Sequence, residues 1–151
     1  MAQIHEYPVT VSWTGDRMGS GKSTADQSEI SVPISVPEEF QGKGEGTNPE
    51  ELLSLAIASC YSITFGIIAG MRKLPFIGIE TNAVGEVEQS GANFVYNKMT
   101  IRPTIQLAAD ATDEDVAIAQ DLSHKADLYC IITNAVRGKV EVVVEPKIVR
   151  G

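Results

Sequence analysis

Cys60 and Cys130 are the side chains in this sequence best suited to covalent chemistry, and the first question is whether either is reactive. Cysteine is among the most buried residue types, so one thiol in an apolar helix can be plain core. A reactive thiol needs a neighbouring cation or dipole to stabilise its thiolate. Cys60 falls mid-way along a long helical stretch, too far from the N-terminus for that dipole to help much, so any activation must come from another element. His5 and His124 are the only other soft ligands, and there is no Cys-x-x-Cys pair, so no metal site is expected. A second candidate, GSGKST at 19–24, looks like the end of a phosphate-binding loop. The pattern requires a glycine where Asp16 stands, and Lys22 leads into a strand rather than opening a helix, so a flexible turn is the better reading.

The element that must position Cys60 runs from Thr47 to Lys73. Asn48 is a good N-cap, Pro49 suits the first helical position, and Glu51 completes a capping box. Glu50 and Glu51 at one end and Arg72 and Lys73 at the other have the favourable sign for the helix dipole. From Leu52 to Met71 no residue other than the thiol can be ionised at neutral pH, which leaves a membrane span or a helix buried on all sides. Ser54, Ser59, Ser62, Thr64, Gly66 and Gly70 suit close approach inside a protein better than contact with lipid.

Around this helix, residues 7–13 and 28–36 alternate as half-buried strands do and form a hairpin across a polar connection, 14–27. Pro33 points to an edge or a bulge in the second strand. GKGEG, 42–46, gives a flexible approach to the helix. After it, a strand from Ile77 through Val87 turns at QSGAN and pairs with 94–107, where Val95, Met99, Ile101, Ile105 and Leu107 share a face and Pro103 again suggests an edge or bulge. Thr112 followed by three acids starts a helix, with Ile118, Leu122 and Ala126 on one stripe. Residues 130–137 add a short helix stopped by Gly138, and VEVVVE, 140–145, is a strand. The order predicts an α+β fold.

The chain has 151 residues, which suits one domain, 1–151, and a formal net charge of −8, which offers nucleic acid no basic surface. The N-terminus lacks a basic start followed by an apolar run, so a cytoplasmic location is expected, where two cysteines remain thiols.

TNPEELLSLAIASCYS, 47–62, closely resembles the signature of the OsmC/Ohr family of osmotically inducible and organic-hydroperoxide-resistance proteins, in which a helix opening with Asn-Pro-Glu carries the peroxidatic cysteine. TGDRMG, 14–19, is similar to the loop bearing that family's active-site arginine, and CIITNAVRGKVEVVV, 130–144, to its resolving-cysteine segment and following strand. The resemblance implies a fold of antiparallel sheets packed around a long central cysteine-bearing helix in an intertwined homodimer. It makes Cys60 peroxidatic, Cys130 resolving, and Arg17 and Glu50 the activating pair. The sequence departs from typical members in placing Cys130 six positions after His124 and following it with Ile131 instead of proline.

The implied activity is that of a peroxidase reducing organic hydroperoxides, with no bound metal or haem. A thiolate attacks a peroxide oxygen, a guanidinium stabilises the charge, and the sulfenic acid condenses with the second thiol to a disulfide opened by a dithiol reductant, in this family often a lipoylated protein. Glu50 and Cys60 lie about 15 Å apart along one straight helix, so a shared site calls for a contact between subunits. Ala56, Ile57, Ile63 and Thr64, one turn from Cys60, predict a mostly apolar substrate pocket. The competing class is a non-catalytic stress or small-ligand-binding protein on the same scaffold, with structural thiols.

Overall fold

A computed structural model describes residues 2–151. Its Cα framework divides into two compact units, the first ending at Leu52 and the second comprising Leu53–Gly151.

In the first unit, β1 (Val9–Thr14), β2 (Ser20–Ala25) and β3 (Ile30–Ile34) form an antiparallel sheet in that order. The expected two-stranded hairpin is therefore a three-stranded meander, and the segment read as a connection contains its central strand. SGKSTA carries no apolar alternation; it is held by ladders on both sides. A Cβ at Gly21 would lie 2.5 Å from the Ser12 carbonyl oxygen and 2.7 Å from the Trp13 ring, so glycine is what lets β2 pass. Pro33 sits on β3, an edge strand, as its chemistry demands. Thr47 N–H donates to Pro33 O at 2.9 Å and Ser35 N–H to Thr47 O at 3.0 Å, tying the approach segment to β3. Asn48 Oδ1 then accepts the Glu51 N–H at 2.9 Å, as expected of the N-cap, while the Glu51 carboxylate takes the Thr47 hydroxyl at 2.8 Å.

The long helix, α1, spans Pro49–Met71. Its C-terminus is a Schellman turn: Leu74 N–H donates to Ala69 O and Lys73 N–H to Gly70 O, with Lys73 in the left-handed region at φ 54°.

In the second unit, β4 (Phe76–Ser90) and β5 (Asn93–Leu107) form a long antiparallel hairpin across Gly91, close to the expected QSGAN turn. Two short strands, β6 (Glu141–Val144) and β7 (Lys147–Arg150), then pair in succession with β5, both parallel to it. This sheet is mixed rather than purely antiparallel, and β7 was not anticipated. Pro103 is buried in the central strand, at neither an edge nor a bulge: β6 pairs with 98–101 and β7 with 104–107, so the missing N–H falls in the gap between them. A register shift opposite Glu86/Val87 resets the alternation of β5, turning Val95 outward and Tyr96 towards the core.

The α2 helix (Asp113–Tyr129) opens with a Thr112–Asp115 capping box and is followed by α3 (Ile131–Val136). Met99, Ile101, Ile105 and Leu107 on one sheet face pack with Ala119, Leu122 and Ala126 of α2 and with Ile57, Tyr61, Phe65 and Ala69 of α1. The four α1 residues recur every fourth position and so make one stripe. Leu55, Ile63, Ile67 and Met71 on the other side are exposed, so the helix is not buried all round within this chain. It has the length and composition of a membrane span. Two of its hydroxyls are nevertheless engaged by the sheet: Ser54 shares a hydrogen bond with Tyr96 at 2.8 Å and Ser62 with Thr81 at 2.6 Å. The fold is α+β, with antiparallel and mixed sheets and one long helix.

Candidate functional site

The second unit brings the two thiols together. Cys60 occupies the middle of α1, half-buried, and Cys130 is fully buried at the corner between α2 and α3; both are free. Cys130 ends α2 and is also the N-cap of α3, a place where a serine or aspartate is usual. Its sulfur accepts the Thr133 N–H at 3.4 Å.

That corner supplies the stabilisation that α1 could not give its own cysteine. Burial pushes the Cys60 thiol up, but hydrogen bonds from the Cys130 thiol, the Ile132 N–H, the Thr64 hydroxyl and the Ile131 N–H together outweigh it and hold Cys60 below the ordinary thiol range. The Thr64 oxygen lies 3.9 Å from the sulfur. Cys130 moves the opposite way: burial raises it, and so does the bond to Cys60, with Thr133 opposing. Two like groups with affinities driven apart can divide the roles of nucleophile and proton donor. The Ile131, Ile132 and Thr133 amides escaped sequence reasoning because backbone groups leave no mark in residue type; the one visible signal was a cysteine standing where a short helix begins.

The other sequence-derived site residues are placed as follows. Arg17 lies within the turn closed by Gly19 N–H to Asp16 O at 3.0 Å, and its guanidinium donates to Phe40 O at 2.8 Å. Glu50 stands in the first turn of α1. Both belong to the first unit, whereas the thiols belong to the second. Of the four pocket candidates, Thr64 reaches the sulfur, Ala56 and Ile63 are exposed, and Ile57 is fully buried among core residues. GSGKST runs into β2, and Lys22 lies opposite Ser12 and Pro33 within the sheet. Among the described residues no three His, Cys, Asp or Glu side chains cluster as metal ligands would. A cleft of about 340 Å³ beside Ile79, Glu80, Thr104 and Gln106 contains neither thiol.

Residues 42–145 match the OsmC family, described as OsmC-like protein. The chain is 35% identical over 147 residues to an uncharacterized protein, YmaD, of Bacillus subtilis, covering 97% of each. It is 28% identical over 137 residues to an organic hydroperoxide resistance protein of Xanthomonas axonopodis pv. citri, covering 90% of this chain and 91% of that one. In fold it is similar to an OsmC-like protein of unknown function from Vibrio cholerae, with a TM-score of 0.80 at 21% identity over 95% of this chain and 99% of the other. The match spans both the helix that carries Cys60 and the corner that carries Cys130, and the chain belongs to the OsmC-like family.

Proposed function

We propose that this chain is a thiol peroxidase for organic hydroperoxides, with Cys60 as nucleophile and Cys130 as resolving thiol. The observation that carries the reading is two free thiols set against each other, Cys60 on α1 and Cys130 at the N-cap of α3, in surroundings that lower the first and raise the second. The Cys60 thiolate attacks the terminal oxygen of the hydroperoxide, the O–O bond breaks, and the alkoxide leaves to take a proton as alcohol. Cys60 is then a sulfenic acid. The Cys130 sulfur attacks it; hydroxide leaves with the Cys130 proton as water, and a Cys60–Cys130 disulfide remains. An external dithiol, in the family often a lipoylated protein, takes the oxidation and restores both thiols. A reducing compartment, the cytoplasm, fits that cycle.

Arg17 and Glu50 enter through the family resemblance: the guanidinium stabilises the thiolate and the departing oxygen, and the carboxylate holds the guanidinium. With Glu50 and Cys60 on one continuous helix, this assignment calls for a homodimer in which the partner supplies the pair. Two features favour one. Among the described residues of the first unit no hydrophobic one is fully buried, and Val9, Val11, Trp13 and Ile30 of its sheet are exposed. A three-stranded sheet without a covered face is not stable alone. The exposed apolar stripe of α1 beside Cys60 also suits an alkyl substrate or a second helix.

The test is intact-mass analysis after one equivalent of cumene hydroperoxide, with sedimentation run alongside. Loss of two hydrogens, abolished in Cys60→Ser, together with a dimer, supports the reading. Hydroperoxide turnover persisting in Cys60→Ser would overturn the assignment, and a fully active monomer would remove the shared site.

A further inference from the structure

The corner that presents Cys130 is fastened by side chains that neither thiol step uses. Two of the last carbonyls of α2, Asp127 O and Leu128 O, lie where a helix runs out of its own donors. Arg137, at the C-cap of α3, donates from Nη2 to Asp127 O at 3.0 Å and to Asp127 Oδ1 at 3.4 Å. Its Nε donates to Asn134 Oδ1 at 3.0 Å. Asn134 in turn gives its Nδ2 proton to Leu128 O at 3.0 Å. The guanidinium and the amide thus form one strap from the end of α3 back to the end of α2, and Cys130 lies at the apex it closes. Asp127 is only 15% exposed in its side chain, and its charge reaches the Tyr61 hydroxyl, next in sequence to Cys60.

We infer that Arg137, acting with Asn134, is the positioning residue for the resolving thiol, its strap setting the angle between α2 and α3 that keeps Cys130 against Cys60. A single salt bridge between partly exposed groups contributes little. A fork that binds a carbonyl, a carboxylate and an amide at once fixes geometry, which a lysine cannot reproduce. Without it, Leu128 O loses the Asn134 donor, Asp127 O keeps only the long 3.4 Å bond from the Cys130 N–H, and the six-residue α3 can swing, carrying Cys130 away. The consequence for catalysis rests on the peroxidase reading above; the positioning itself does not.

The experiment measures the effective concentration of Cys130 at Cys60 without any peroxide. In glutathione buffer the mixed disulfide of Cys60 equilibrates with the internal one: the Cys130 sulfur attacks Cys60 Sγ, the bond to glutathione breaks, and glutathione leaves as a thiol with the Cys130 proton. Cys60 is in a disulfide on both sides, so its own acidity cancels. Acid-quenched intact mass gives the ratio in the full-length protein. Arg137→Ala is expected to lower the effective concentration about tenfold, Arg137→Lys and Asn134→Ala by less, and the surface variant Arg102→Ala not at all. After one equivalent of hydroperoxide, Arg137→Ala should also accumulate sulfenic Cys60, and after a second equivalent sulfinic Cys60, where the wild type closes its disulfide. A ratio within about twofold of wild type in Arg137→Ala overturns the inference, even if its melting temperature falls, because a purely structural strap would move only the latter. If Arg137→Ala does not fold, Asn134→Ala decides by the same ratio. A wild type that forms the internal disulfide in glutathione but ignores hydroperoxide would sink the peroxidase reading and leave the strap standing.

Discussion

Replacing Tyr61 by phenylalanine removes one oxygen from the centre of the second unit. Tyr61 is fully buried, and its hydroxyl donates to Ser123 O at 2.6 Å, tying α1 to α2 beneath the thiol pair. A buried hydrogen bond contributes about 1 kcal/mol net; since Ser123 O lies inside α2 and keeps its own helical donor, the larger penalty of a stranded carbonyl does not apply. For a chain of this size that is a fall of about 2–4 °C in melting temperature. Denaturation should be followed at one fixed protein concentration, because the proposed dimer would make the midpoint concentration-dependent. The pH dependence provides a sharper check. Burial first, then the charge of Asp127, raises the Tyr61 phenol above its ordinary 10, with the Ser123 bond opposing. A raised folded pKa favours the neutral phenol in the fold, so its contribution is complete below the unfolded value of about 10 and is lost as pH climbs through the folded one. The wild type should therefore lose stability above that pH faster than Tyr61→Phe, and the gap between them should narrow. Tyr96, also raised by burial against its Ser54 bond, is common to both proteins and cancels. A phenylalanine variant at least as stable as wild type at neutral pH, or a gap that widens in alkali, would refute the reasoning.

Two further outcomes follow from local geometry. Lys73 holds a left-handed conformation at φ 54° at the end of α1, so Lys73→Gly should stabilise by about 0.5–1 kcal/mol in urea unfolding, and a loss of stability would show that the lysine side chain does something its backbone does not. Thr64→Val removes one of the donors that lower Cys60, so the midpoint of its alkylation by iodoacetamide should move to higher pH and the rate at neutral pH should fall about threefold; an unchanged profile would exclude the hydroxyl from the site.

What could be read from the residues depended on which physical force placed them. The long helix was legible because its cap, its charges and its apolar run all agree, and Asn48 does cap it. The β4–β5 turn and the stripe of α2 were legible for the same reason. The β2 strand was not: SGKSTA is held almost entirely by backbone ladders and by the small size of Gly21, and neither has a hydrophobic period. Pro103 misled because proline excludes a strand only where an N–H is needed, and the gap between β6 and β7 is a place where it is not.

The site divides along the same line. Cys60 and Cys130 stand out in the sequence as candidate thiols, but the reason the first is held below the ordinary thiol range does not, since it depends in part on amides at the start of a six-residue helix whose cap is the second cysteine. This arrangement makes one short element serve both sulfurs: the Ile131 and Ile132 N–H groups help hold the Cys60 thiol low, and Thr133 gives its N–H to Cys130. Moving α3 would therefore alter both thiols together. In a pair that depended only on a distant cation the two could be tuned separately. On the proposal above, the angle between α2 and α3 controls both, and the side chains that hold that angle, Arg137 and Asn134, act on the chemistry without touching a sulfur.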